Sequence, residues 1–297
     1  MTAPEIAPTT HEQDAAIFWS NTPAGHDAHR LAAAVAALLL VAFAVLASVA
    51  RTPLAPVRAF VPITQSVLAV FALITAGLLF GQSKSARITA LRILASGYLF
   101  LACMVALQML NAPTPLAGWW FAFTYGGFPL FVLIYALRRE AAPTGAARRS
   151  LSFGIAAVIT AACVLALIAT AGADKLPAAS PDMAAMRMIA GGVWLLCALA
   201  ALALWRRPRS VLDVWLLVAL CAWGLATALS AVLSGGGFDA GFYAGRMYGV
   251  LAAGVVLAVL LFENTSLYAR ALAARERERS DARKLTHAAR ELDALSY

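Results

Sequence analysis

Arg58, Arg187 and Arg246 each stand at the end of a long apolar run. A guanidinium presents a planar fork of donors that matches a carboxylate or a phosphate, and placing one at membrane depth is expensive unless something compensates it. Thr64, Gln65, Asn111, Trp119, Trp120, Asp239 and Tyr243 fall at the same ends of their runs. Together they outline a pocket in which guanidinium forks hold an anion and aromatic rings close over it. The candidate ligand-binding residues are therefore Arg58, Gln65, Trp119, Trp120, Arg187 and Arg246. The plainer alternative is that the arginines snorkel to lipid phosphates. Trp119, Trp120 and Tyr98 also suit an interfacial belt or simple packing.

Other chemistry is sparse. No histidine lies in an apolar run: His11, His26 and His29 precede the first one, and His287 follows the last. Haem and histidine-based metal sites are disfavoured, and His26-x-x-His29 on a polar tail is a weak pair. Cys103, Cys163, Cys197 and Cys221 all sit inside apolar runs without a C-x-x-C spacing, as packed small residues do. Asp213 and Glu263 border the inner ends of runs. They lack a partner histidine, and an ion pair with Arg206–Arg209 or Arg270 explains them. No catalytic residue, metal or cofactor is expected, so the chain itself is not expected to be an enzyme.

The elements that must position these residues are membrane spans. Hydrophobic residues make up 62% of the 297, against about 45–50% in a soluble domain. Spans are expected at 31–50, 63–81, 88–110, 118–137, 151–171, 184–205, 211–234 and 242–263, joined by short loops rich in charge, proline or glycine. The fold class is all-α: a polytopic integral membrane bundle of about eight transmembrane helices, followed by a cytoplasmic signalling helix or coiled coil. Residues 1–30 read as a disordered cytoplasmic tail, 31–263 as the membrane domain and 264–297 as the signalling helix. The net charge of +8 is explained by arginines in cytoplasmic loops, with no nucleic-acid partner. With both termini cytoplasmic, eighteen Lys and Arg lie inside and five outside, which satisfies the positive-inside rule. Twenty arginines against three lysines suit a bacterial source, and hence the lipid bilayer of a bacterial cytoplasmic membrane. Paired broken helices of a transporter are not found; Pro62 and Pro129 are the prolines in or near spans, and Pro129 is expected to kink the fourth.

From Phe262 the chain has no proline or glycine and mixes Glu with Arg at helical spacing. A heptad seam passes through Leu267, Ala271, Ala274, Glu278, Asp281, Leu285, Ala288, Leu292 and Leu295, weak in the middle and strong at the end. This predicts a parallel homodimer, with Gly245 and Gly249 at GxxxG spacing and Leu285, Leu292 and Leu295 relaying a signal. A solvated helix with i,i+4 ion pairs is the bland alternative.

The stretch from Val57 to Phe100, with its "LLFGQ" at Leu78–Gln82 and "LASGYLF" at Leu94–Phe100, is similar to the fourth class of bacterial membrane-associated sensor (MASE) domains. "GGFPLFVLIYAL" at Gly126–Leu137 and the text near Gly245–Ala271 fit the same class, so the resemblance covers roughly 30–272. Such domains are input modules fused to histidine kinases or diguanylate cyclases. Relatives often carry a histidine before the GGFP stretch; Tyr125 stands there. "ELDALSY" at Glu291–Tyr297 resembles the start of the dimerisation helix of sensor histidine kinases, which runs into a phosphorylated histidine. Asp293–Ala294–Leu295 also match linkers that precede diguanylate cyclases, while Ser296 and Tyr297 depart from them. The resemblance implies a sensor input module of a two-component histidine kinase, with a missing output domain and a response regulator as partner. A diguanylate cyclase output is the alternative, and a small transporter or membrane enzyme a more distant one. A transporter has no need of the kinase-like tail.

Overall fold

A computed structural model describes residues 25–86, 89–110, 117–138, 158, 161, 183–206, 210–235 and 237–295. The elements are α1 (His26–Ser48), α2 (Phe60–Ala86), α3 (Thr89–Leu110), α4 (Ala117–Arg138), α5 (Met183–Trp205), α6 (Val211–Thr227) and α7 (Ala240–Leu295). α6 continues into a π-helical turn, Ala228–Leu233. In lipid the backbone has no water to bond, so a spanning segment must close its own hydrogen bonds as a helix. Seven of these helices are long and apolar enough to cross a membrane, which makes the chain an all-α, multi-span membrane protein. The expected fifth span, 151–171, lies outside the described residues apart from Val158 and Ala161. So does the expected tail up to residue 24. α1 begins at His26, so His26–Arg30 are helical and do not belong to a disordered tail.

The chain divides into two compact units, 1–258 and 259–297. Within the first, α2 packs on α3, α3 on α4, α4 on α5, α5 on α6, and α6 on both α1 and α4. Helices in lipid gain little from hydrophobicity and much from close backbone approach. The α3–α4 contact shows this: a Cβ on Gly97 would collide with the Phe131 side chain, and one on Gly127 with the Phe100 ring. The two glycines are reciprocal notches, and both fall in the "LASGYLF" and "GGFP" stretches. α1 is peripheral, with Ala32 and Leu39 buried and Leu31, Leu38, Val41 and Val45 exposed. In a bilayer those residues meet lipid.

Two capping arrangements set the helix starts. At α6 the Ser210 hydroxyl accepts from the Asp213 amide at 3.3 Å, and the Asp213 carboxylate accepts from the Ser210 amide at 3.0 Å. This is a capping box, and Tyr135 on α4 donates its hydroxyl to the same carboxylate at 3.0 Å. Asp213 thus takes part in the cap and in a bond to Tyr135; residues 207–209 of the expected ion pair lie outside the described residues. At α7 Asp239 accepts from the Phe242 and Gly235 amides at 2.8 and 2.6 Å and from the Ser234 hydroxyl at 3.1 Å.

The segment after α1 staples the start of α7. Leu54 donates its amide to the Phe238 carbonyl at 2.8 Å, Ala240 to Thr52 at 3.0 Å and Gly241 to Ala50 at 2.8 Å. The Tyr243 hydroxyl donates to the Ala55 carbonyl at 2.9 Å and accepts from the Val57 amide at 3.0 Å. One turn further, the Tyr248 hydroxyl donates to the Leu39 carbonyl of α1 at 2.8 Å.

Candidate functional site

The fixed start of α7 places Arg246 in the wall of a small cleft. α2 contributes Thr64, Gln65 and Leu68 to its wall, α4 contributes Thr124 and Tyr125, and α7 contributes Arg246 and Val250. Residues three and four apart share a helix face, which is why 64 and 68, and 246 and 250, line it together. The cleft measures about 260 Å³ out to its open mouth, and its enclosed part about 10 Å³. That enclosed part holds one water-sized group.

Gln65 and Thr124 are buried, at 7% and 1% exposure. Gln65 Oε1, Thr124 Oγ1 and Arg246 Nε have no hydrogen-bond partner among the described residues. A buried polar group without a partner costs about 1–3 kcal/mol. The three residues that carry these groups line the same cleft. The set is mixed in character: Arg246 donates, Gln65 Oε1 accepts, and the Thr124 hydroxyl does either. Thr64 has already spent its proton, donating to the Phe60 and Val61 carbonyls at 2.9 and 3.1 Å.

Charge is just as one-sided. Among the described residues no carboxylate lines the cleft, and Asp239, on the turn that begins α7, is committed to capping. The Arg246 guanidinium carbon sits 4.4 Å from the centre of the Phe242 ring, a cation–π contact that orients it without neutralising it.

Tyr125 is the best-anchored wall. Its ring stacks on Phe121 at 4.2 Å and lies 5.0 Å from Trp223. Its hydroxyl hydrogen-bonds the Ser230 side chain and lies within the field of Arg246. Pro129 stands four residues on, inside α4, and has no amide hydrogen to return to the Tyr125 carbonyl. The Trp223 indole fills the gap, donating to that carbonyl at 2.9 Å.

α7 comes this close because its facing residues are glycines. A Cβ on Gly245 would stand 2.8 Å from Ser230 Cβ and 2.9 Å from the Ala226 carbonyl. One on Gly249 would stand 4.0 Å from both Trp223 and the Tyr125 hydroxyl. Ser230 belongs to the π turn, so the turn, Tyr125 and α7 meet at one place.

Of the residues singled out by sequence, Gln65 and Arg246 come together. Arg58 is exposed before α2 and Arg187 is exposed on α5, and neither lines the cleft. Trp120 is buried against Phe100, Met104 and Val158, in a hydrophobic cluster. The side chain of Trp119 and all of Asn111 lie outside the described residues. Gly245 and Gly249 face neighbours in their own chain. Leu285, Leu292 and Leu295 lie on the helical backbone of α7, and their side chains are outside the described residues. Cys103, Cys197 and Cys221 form no disulfide among the described residues, whereas Cys163 falls outside them. Among the described residues no cluster of His, Cys, Asp or Glu is built to hold a metal; His29 turns its Nδ1 to the Gly25 carbonyl at 3.0 Å.

Sequence reasoning missed Thr124 as a lining residue and noted Tyr125 only for its place before the Gly126–Gly127 pair. That pair was the available signal, because a residue beside two glycines sits where helices approach closely.

Residues 55–268 match the profile of MASE4, described as a membrane-associated sensor, integral membrane domain. No curated protein and no solved structure matches the chain.

Proposed function

The MASE4 match spans well over half of the chain, so the chain belongs to that family of membrane-associated sensors, and from this premise we propose that it is the input module of a two-component sensor histidine kinase. The observation that carries the reading is a single helix. α7 runs without a break from Ala240 to Leu295, so the cleft arginine and the Glu/Arg-rich stretch after Phe262 belong to one element. A change in how Arg246 is satisfied acts on the same helix that leads toward the output. The leucines at 285, 292 and 295 support pairing of that helix with a second copy, and a response regulator is the partner that kinase chemistry implies. The eighteen-to-five split of basic residues supports cytoplasmic termini. The kinase-like text at Glu291–Tyr297 favours a kinase over a diguanylate cyclase.

The product of the natural gene, assayed in native membranes, tests this. With labelled ATP it should acquire an acid-labile, base-stable phosphoryl group, as phosphohistidine does. Formation of a cyclic dinucleotide from GTP instead would transfer the reading to the cyclase alternative, and neither product would overturn both.

A further inference from the structure

Cys197 and Cys221 belong to consecutive, packed helices, α5 and α6, and one bond shows how the two align. The Trp194 indole donates to the Gly224 carbonyl at 3.0 Å. One turn on from Trp194 stands Cys197, and one turn back from Gly224 stands Cys221. Residues three apart share a helix face, and the two helices run in opposite directions, so the cysteines fall opposite each other. Cys197 lies in the buried seam of α5 with Ala190, Val193, Ala200 and Leu204, and its thiol is within the field of the Cys221 thiol. Tyr248 of α7 lies within the field of Cys221 as well. Cys103, by contrast, packs against the cluster around Phe100 and Trp120. We propose that Cys197 and Cys221 are a dithiol that a lipid-soluble quinone oxidises to a disulfide within the bilayer.

Both sulfurs lie deep in the bilayer. At a rise of 1.5 Å per residue, Cys197 stands about 12 Å from the Trp205 end of α5 and Cys221 about 15 Å from the Val211 end of α6. The hydrocarbon core is about 30 Å thick, so the pair is near its middle. An ion is costly there, whereas a dithiol and a disulfide are both neutral. A soft metal would require the two sulfurs as thiolates, and among the described residues no group of His, Cys, Asp and Glu is built to hold one. Glutathione disulfide is charged and stays in water. A quinone dissolves in lipid and takes up electrons and protons together. Two S–H bonds break and one S–S bond forms. The two electrons and two protons pass to the quinone oxygens, and hydroquinone leaves.

Helix packing admits the bond. A disulfide holds its Cα atoms about 4.4–6.8 Å apart. Packed helices have axes about 8–10 Å apart, and each Cα stands about 2.3 Å off its axis, so facing positions reach that range. Among the described residues Cys221 is half-buried, and Trp194 and Leu195, beside Cys197 on α5, are exposed. The hairpin thus has a side open to lipid. The bond ties α5 to α6 two turns before the π turn that begins at Ala228, where Tyr125, Ser230 and Gly245 meet. The assignment takes nothing from the sensor reading: the natural gene product can phosphorylate itself whether or not the bridge forms.

The test counts thiols. The chain, reduced and reconstituted in phosphatidylcholine nanodiscs without oxygen, is treated with decylubiquinone, a fully substituted benzoquinone whose ring has no open carbon for a thiol to add to. After denaturation the remaining thiols are counted with a maleimide. The four cysteines should fall to two reactive thiols, with one hydroquinone formed per chain. Tryptic peptides 188–206 and 210–246, each with one cysteine, should be recovered joined and two hydrogens lighter than their sum. Glutathione disulfide at the same concentration should act at least tenfold more slowly. Cys197→Ser and Cys221→Ser should each keep all three remaining thiols, whereas Cys103→Ser should still lose two. The peptide map of the parent chain decides even where a variant fails to fold. The proposal is overturned if the parent keeps four thiols, if Cys197→Ser still loses two, or if the joined peptides come from two different chains. It is also overturned if glutathione disulfide acts as fast as the quinone.

Discussion

The Tyr125 carbonyl has a side chain for its helical partner. Pro129 withdraws the backbone donor it would have had, and Trp223, 1% exposed, supplies an indole N–H from another helix. In lipid the lost bond has no water to replace it. Trp223→Phe keeps most of the aromatic packing and should destabilise the chain by about 1–3 kcal/mol, read as a lower melting temperature in detergent. The cause can be isolated with Pro129→Ala, which returns a backbone amide to the carbonyl. In that background Trp223→Phe should cost markedly less, and an equal cost in both would show that the loss is one of packing. The proline and the tryptophan are both visible in the sequence, but their pairing is not, because it joins residues 94 positions apart through the rotation of two helices. The same limit explains the arginines. Position along a span is legible, so Gln65 and Arg246, which line one cleft, could be grouped from the sequence. Which way a side chain faces is set by helix packing, so Arg58 and Arg187 were grouped with them although they point elsewhere. Ser210-x-x-Asp213 is the opposite case: its capping-box spacing is legible in the sequence alone.

At the scale of elements, the closest approach is that of α7 to the π turn of α6. A turn of π-helix holds one residue more than an α turn and widens the backbone locally. Here it presents Ser230 to both Gly245 and Tyr125. Ser230 also donates to the Ala226 carbonyl at 2.7 Å, as Thr227 does to Trp223 at 3.0 Å, so side chains share in satisfying the irregular backbone. Gly245→Val should force α7 away from backbone atoms that cannot yield, at about 1–3 kcal/mol. Gly249→Ala, whose added Cβ would meet only ordinary contacts at 4.0 Å, should leave the melting temperature within a few degrees of the parent. Comparable losses at both positions would mean that the two glycines serve some surface other than this one. Their GxxxG spacing announced close packing, and the partner it found is in the same chain. The face of α7 that Met247 and Leu251 leave exposed is then the one open to a second copy. Nothing in residue order announces the π turn itself, since Ala228–Leu233 reads as ordinary apolar helix.

For the whole molecule, span positions follow from composition more readily than any side-chain contact does, because hydropathy is a one-dimensional property. Six of the eight expected spans coincide closely with described helices, and a seventh, α1, begins five residues early. Orientation is checked with alkaline phosphatase fusions, which are active only outside the cytoplasm. A fusion at Ala178 should be active and one at Ala142 silent; the reverse would invert the bundle and place the cleft on the cytoplasmic side. The loop between α1 and α2 adds something that neither composition nor ancestry shows. The family profile starts at residue 55, yet the carbonyls that receive the amides of Ala240 and Gly241 belong to Thr52 and Ala50, and the one that receives the Tyr248 hydroxyl belongs to Leu39. The matched segment is thus shorter than the one that holds the start of α7. A boundary drawn by kinship would keep the bonds of Tyr243 to Ala55 and Val57 and lose the backbone bonds that hold Ala240 and Gly241 at the start of the last helix.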